Sequence, residues 1–341
     1  MDTSLFEDLA AGHFGLAPSG SAREIAAGNI NATALVPTTT GLFVIQDINT
    51  GVFSDPSVLM RNAQLVVERQ IAHNIPAMEH QRTIADDWLA VHDGTSYRCY
   101  RFIEGAATPS ITTAETAQAN ARAFGRYAKA IDGLALVEHL SGYHNFDLRV
   151  DSLDKAVAVD SHARLAGCAR HVEDMLSMVD RLRLTSAFAA WLEVPVRNAH
   201  NDAKGPNCIV GDVGRTIIDL DTTMPGTVLS DIGELVRSST RDMKDAGPED
   251  LMVQVTAANR GFLSGYGNDL EDSEEHAMLL AGPLMTTENA VRFMTDHLSG
   301  DTYYGAAYPD QNLERAIVQL ELAQRLVEAI ELATAGLLSP G

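Results

Sequence analysis

Arg197-Asn198-Ala199-His200-Asn201-Asp202-Ala203-Lys204-Gly205-Pro206-Asn207-Cys208-Ile209-Val210 is followed, after a short turn, by Thr216-Ile217-Ile218-Asp219-Leu220-Asp221. Apolar residues flank a polar run that holds Gly205 and Pro206, which reads as a loop between short β segments, and a second turn at Gly211 to Gly214 leads into an apolar run. Phosphoryl transfer from a nucleotide calls for one carboxylate to orient and deprotonate an attacking hydroxyl. It also calls for a carboxylate and an amide oxygen to hold magnesium on the phosphates. Asp202, Asn207 and Asp219 offer those groups in a suitable order and spacing. A lone loop Asp is more simply an Asx turn or a helix cap; Asn207 and Asp219 in register turn the balance toward catalysis.

His200-Asn201-Asp202 with Asn207 five residues after the Asp, then an Ile-Asp segment, resembles motifs shared by protein kinases and the aminoglycoside phosphotransferase/choline kinase superfamily. Within that superfamily the chain resembles the N-acetylhexosamine 1-kinases. The shared wording is His-Asn-Asp-x-Lys-x-x-Asn at 200–207, Ile-Asp-Leu-Asp-Thr-x-Met-Pro-Gly at 218–226 and Arg-Phe-x-Thr-Asp at 292–296. Similarity runs from about Gly28 to the last helix. The resemblance implies an α+β, bilobal protein-kinase-like fold, with a small antiparallel-sheet N-lobe over 1–104 and a large mostly helical C-lobe over 105–341. It further implies ATP and Mg²⁺, an alcohol group as acceptor, and an N-acetylhexosamine or related sugar carrying that alcohol, with the anomeric hydroxyl as a candidate.

Composition agrees with two lobes, since 341 residues with 45% hydrophobic content exceed the usual single-domain size. No run of about eighteen uncharged apolar residues occurs, which argues against a membrane span. Met1 to Asp8 is acidic and lacks the basic and apolar regions of a signal peptide, so a cytoplasmic enzyme is expected. Cys99, Cys168 and Cys208 are too few and scattered for a disulfide framework or a zinc site. A net charge of −21 disfavours a nucleic-acid partner. It is compatible with a cationic substrate, but total charge does not report the sign inside one pocket.

In chain order, a short helix opens residues 1–20, a polar turn near Gly28 enters a strand to Val36, Pro37 to Gly41 turns, and Leu42 to Gln46 returns. The resemblance places the nucleotide phosphates under backbone N–H groups near Gly28, Asn29 and Asn31; on its own the hairpin is equally a structural turn. Asp55-Pro56 opens a helix that presents Glu68 near its end. No lysine precedes Lys129, so the strand lysine of kinases is missing, and Gln46 or Asp47 stands in its place. Glu68 is then a solvated residue rather than an ion-pair partner. Two strands joined at Asp93-Gly94 lead to Phe102 and Glu104, where the resemblance puts backbone recognition of adenine. Helical spacing follows from Thr113, from about 161 to 184, and near 231–240, 248–265, 272–299 and 310–337.

The resemblance assigns Asp202 as the base that meets the acceptor hydroxyl, Lys204 as a cation for the γ-phosphoryl group, and Asn207 and Asp219 as metal ligands. Asp221 joins them as a direct or outer ligand, since alternate residues of an extended segment share a face. His200 is expected to fix the loop backbone, and Asp231 either braces the loop or is a plain helix-start charge. Arg292 and Tyr303 are expected on the sugar; without the resemblance, Arg292 is a helix-surface partner of Glu288 or Asp296. His144 matches a substrate-side segment, although a surface or capping role is the simpler reading. Two alternatives stand beside the sugar kinase: a kinase of an aminoglycoside, choline or another alcohol, and a nucleotide-binding pseudokinase, suggested by the lysine-free N-terminal region. A P-loop kinase is excluded, because no Gly-x-x-x-x-Gly-Lys-Ser/Thr occurs.

Overall fold

A computed structural model describes residues 3–25, 31–109 and 113–338, so Gly28 and Asn29 lie outside the described residues. The chain divides into two units. The first comprises residues 1–106 with two later returns, 133–141 and 209–224; the second comprises 107–132, 142–208 and 225–341. The expected division at 104/105 made no provision for the two returns.

In the first unit, α1 (Ser4–Gly12) precedes β1 (Arg23–Glu24), β2 (Thr33–Thr38), β3 (Gly41–Asp47), α2 (Pro56–Ala72), β4 (His80–Gln81), β5 (Ala90–His92) and β6 (Thr95–Arg101). The six strands form an antiparallel sheet in the order β1-β2-β3-β6-β4, with β5 also on β6. The turn after β2 is tighter than expected: Pro37 and Thr38 stay in the strand, paired with Leu42 and Gly41. Side chains alternate across a strand, so Ala34, Val36, Phe43, Ile45, Tyr97 and Cys99 form a core with Phe6 and Leu9 of α1. Thr33, Gln46 and Arg98 alternate with them, in register on the opposite face, and all three are buried.

Asp55 caps α2, accepting the N–H groups of Ser57 and Val58 at 3.0 and 3.3 Å, while Glu68 is exposed. Buried Asn62 joins α2 to both returns. Its Oδ1 accepts from Val137 N at 3.0 Å, and its Nδ2 donates to the carbonyls of Val137 and Thr223 at 2.8 and 3.2 Å.

The second unit is mostly helical: α3 (Ala114–Ile131), α4 (Phe146–Val159), α5 (Leu165–Arg183), α6 (Ser186–Trp191), α7 (Val228–Thr240), α8 (Pro248–Tyr266), α9 (Asp272–Leu298) and α10 (Gln311–Thr334). The six residues of α6 are too few for a periodic signal, and the sequence expectations miss it. Helix α9 is buried on all sides from Leu280 to Val291 and packs against α4, α6, α7 and α10. Helices α3 and α8 meet backbone to backbone. A Cβ on Gly125, Gly261 or Gly265 would lie 2.2, 2.3 or 2.1 Å from a carbonyl oxygen of the facing helix, so only glycine permits the approach.

Gly265→Ala is therefore expected to destabilise the protein by about 1–3 kcal/mol, because neither backbone can yield cheaply. Gly167→Ala, on the exposed side of α5 with nothing within 4 Å, should instead stabilise by up to about 1 kcal/mol. Urea unfolding of the two variants checks the contrast, and equal midpoints would contradict it.

Candidate active site

The loop after the strand Arg197–Ala199 is shaped by a buried acid beneath it. Asp231, in the first turn of α7 and fully buried, accepts the N–H of His200 through Oδ2 at 2.9 Å and that of Asn201 through Oδ1 at 2.7 Å. The loop-bracing role is thus what the geometry shows for Asp231. Asn201 has φ +62°, a left-handed conformation that costs a non-glycine residue about 1 kcal/mol. Its side chain offsets part of that, accepting from Ser230 Oγ at 3.2 Å and donating to the Ala199 carbonyl at 3.2 Å. His200 is fully buried against Phe124 and Tyr127, and its Nδ1 accepts the N–H of Asp202 at 3.3 Å, the structural role expected of it.

Asp202 and Asn207 come together. Asn207 Nδ2 donates to the Asp202 carbonyl at 3.0 Å and to its Oδ2 at 3.2 Å, and Lys204 Nζ lies 2.6 Å from the same Oδ2. With Nδ2 committed, Asn207 Oδ1 is the atom left to coordinate a hard cation such as Mg²⁺, for which amide and carboxylate oxygens are suitable donors. Lys204, expected on the γ-phosphoryl group, sits on Asp202 with about a third of its side chain exposed.

Beyond Asn201 lies a cluster around α9. His144 Nε2 donates to the Asn201 carbonyl at 2.8 Å, and Nδ1 meets Glu288 Oε1 at 2.8 Å. Both partners are acceptors, so the ring is doubly protonated. Burial opposes that charge most strongly, but Glu288 outweighs it and moves the histidine's pKa up. His144 is therefore neither the surface nor the capping residue of the simpler reading; Asn145 caps α4. Arg292 is 3.8 Å from Glu288 and nearly buried, its guanidinium 4.9, 6.0 and 5.6 Å from the ring centres of Tyr143, Tyr303 and Tyr304. It is not the helix-surface residue that spacing alone suggests. Tyr303 is exposed, while burial pushes the Tyr304 phenol up to about 12, so its hydroxyl stays neutral. Asp296 fixes this wall, accepting the N–H groups of Tyr303 and Tyr304 at 2.8 and 2.9 Å.

In the first unit, Asp219 is left-handed as well, at φ +63°. Asp221, expected beside it at a metal, is buried with Arg98 on both carboxylate oxygens, and Asn31 Nδ2 adds a third bond at 3.1 Å. That carboxylate does not fit a direct metal ligand. Asn31 takes part through its side chain rather than through backbone alone, also accepting from Asn49 N at 3.0 Å. Phe102 gives its N–H to the Leu42 carbonyl at 2.9 Å, and Glu104 is exposed. Arg98 was not foreseen. Its signal was register: counting along β6 from apolar Tyr97 and Cys99 puts it on the face of Gln46.

The sequence pattern of the phosphotransferase enzyme family matches residues 21–272. The chain belongs to that family. Its fold is similar to that of a spectinomycin phosphotransferase solved with ADP and spectinomycin (TM-score 0.63, 13% identity, 97% of this chain and 99% of the other covered). It is similar to an amicoumacin kinase solved with AMP-PNP and Ca²⁺ (0.64, 12%, 95% and 94%) and to a choline kinase from Cryptosporidium parvum (0.59, 14%, 99% and 98%). This phosphotransferase is thus a small-molecule kinase with the kinase-like α+β fold, and among the described residues no helix is long and apolar enough to cross a membrane.

The His144–Glu288 pair makes the stability of this phosphotransferase depend on pH. A histidine whose folded pKa is raised above its ordinary 6.5 contributes fully below that value and loses its contribution as pH rises through the raised one. Wild type should exceed His144→Gln by about 1–3 kcal/mol near pH 5.5 and by less at pH 8.5, read from urea titrations. A gap that does not change with pH would contradict the assignment.

Proposed function

We propose that this phosphotransferase moves the γ-phosphoryl group of ATP to a hydroxyl of an uncharged sugar, an N-acetylhexosamine or a relative, with the anomeric hydroxyl as first candidate. The observation that carries the sugar reading is the charge of the wall beyond Asn201. Its aromatic faces would suit a quaternary ammonium, yet they already surround Arg292. Glu288, the acid that would attract a cationic acceptor, is matched by His144 and Arg292. A guanidinium among neutral phenols supports hydrogen bonding to a polyol and disfavours choline or a polyamine.

Asp202 receives the proton of the acceptor hydroxyl, and Arg292 and Tyr303 hold the sugar through their hydrogen-bonding groups. Lys204 exchanges its contact with Asp202 for the transferred phosphoryl group, which offers the lysine a higher negative charge. Asn207 and Asp219 would hold Mg²⁺, which when bound would neutralise charge on the phosphate oxygens. Backbone groups at Phe102 to Glu104 meet the adenine edge, and Gly28, Asn29 and Asn31 lie along the phosphates.

An ADP-release assay with N-acetylglucosamine, N-acetylgalactosamine, choline, ethanolamine and aminoglycosides tests the acceptor class. Turnover is expected with a sugar, and turnover confined to a cationic acceptor would refute the reading. With the sugar that works, Asp202→Ala should lower kcat at least about 1,000-fold, while Arg292→Met should raise the acceptor KM about 10-fold or more and leave the KM for ATP unchanged.

A further inference from the structure

Thr33, Gln46 and Arg98 occupy one row across β2, β3 and β6, each directly opposite the next. Gln46 Nε2 donates to Thr33 Oγ1 at 3.0 Å, and its Oε1 accepts from Arg98 Nε at 2.9 Å and Nη2 at 2.5 Å. Arg98 continues to both oxygens of Asp221, Asp221 accepts from Asn31 Nδ2 at 3.1 Å, and the Asn31 carbonyl accepts from Thr33 Oγ1 at 3.3 Å. The bonds close a ring through five residues.

Four of the five N–H groups of Arg98 are committed within this ring, and its side chain is 2% exposed, so it has little left to offer a phosphate directly. What it holds is the segment that begins at Asp219. That segment is also gripped from behind, since His139 Nε2 donates to the Asp221 carbonyl at 2.7 Å and Asn62 donates to the Thr223 carbonyl at 3.2 Å. The left-handed backbone of Asp219 persists only while the residues after it are anchored. Gln46 has its own explanation. Arg98 needs an acceptor there and Thr33 a donor, and a lysine would set two buried cations side by side.

We propose that Arg98, acting through Asp221, is the positioning cation of this phosphotransferase. It aims the Asp219 carboxylate at the nucleotide-bound metal, in a part of the chain where no lysine precedes Lys129. The assignment rests on the ATP-dependent reading above.

The test replaces the pair as a unit, Arg98→Met/Asp221→Leu, because removing one partner alone strands a buried charge. Three quantities are measured: the melting temperature of the nucleotide-free protein, calorimetric ATP affinity without and with Mg²⁺, and kcat with the acceptor that wild type uses. The double variant should melt within about 5 °C of wild type and bind metal-free ATP unchanged within about 3-fold, since neither Arg98 nor Asp221 is assigned a contact with the nucleotide. The tightening of ATP binding by Mg²⁺ should fall about 10-fold or more, and kcat with it. If the double variant does not fold, the near-isosteric Asp221→Asn takes its place with the same expected loss of the Mg²⁺ effect. A folded variant that keeps the full Mg²⁺ effect overturns the assignment alone, as does one whose metal-free ATP affinity falls equally. Wild-type protein that binds ATP under neither condition overturns the kinase reading, and this assignment with it.

Discussion

Two non-glycine residues in left-handed backbone, Asn201 and Asp219, are the constraint around which the rest is arranged. Each turns the chain so sharply that the segment it stands in cannot run on as a strand, and each costs about 1 kcal/mol that neighbouring contacts must offset. The molecule supplies those contacts in the same way twice. Under Asn201 the buried carboxylate of Asp231 takes two successive N–H groups, and beyond Asp219 the buried carboxylate of Asp221 is taken by Arg98. One acid holds backbone and the other holds a cation, but both are inside. A carboxylate that must accept a proton or bind a metal works best when a second one behind it keeps the loop still.

This division explains what could be read from the sequence and what could not. Helix limits were legible because they are written in local code. Asp55-Pro56 caps as expected, the helix expected from Thr113 begins at Ala114, and the apolar periodicity of α8, α9 and α10 places them within a few residues. The Asp202–Asn207 contact was legible too, since five residues of loop leave little freedom. Partners distant in sequence were not: Arg98 finds Asp221 after 123 residues, and His144 finds Glu288 after 144. A resemblance places such residues on an element, but only the folded chain shows which of two acids faces a metal and which faces an arginine. Of the two roles expected of Asp221, the direct one fails for that reason, because alternation along a strand does not survive the left-handed turn at Asp219 and the 3₁₀ turn after it. The strand His80–Gln81 and helix α6 fell below the length at which periodicity speaks.

The net charge of −21 says little about the interior. Among the buried or half-buried acids described here, Asp221 pairs with Arg98, Glu288 with His144 and Arg292, Glu234 with Arg237, and Asp202 with Lys204. Buried pairs of this kind contribute little net stability, because desolvation consumes most of the attraction. Their effect is geometric: each fixes a side chain that would otherwise choose among rotamers. Glu234 shows it well, since its other oxygen accepts from Asn289 at 2.8 Å, which ties α7, carrying the Asp231 brace, to α9, carrying Arg292.

That tie gives the cluster around Arg292 and the loop of Asp202 a common foundation. His144 contacts the loop at the Asn201 carbonyl and α9 at Glu288, so a shift of α9 reaches the backbone next to Asp202 through one imidazolium. A neutral imidazole at 144 would keep at most one of the two bonds at full strength, because the ring cannot donate from both nitrogens unless it is charged. The positive charge thus serves two acceptors at once, one of them the buried acid Glu288. The charge that aligns the loop is thus also the charge that meets Glu288 of α9.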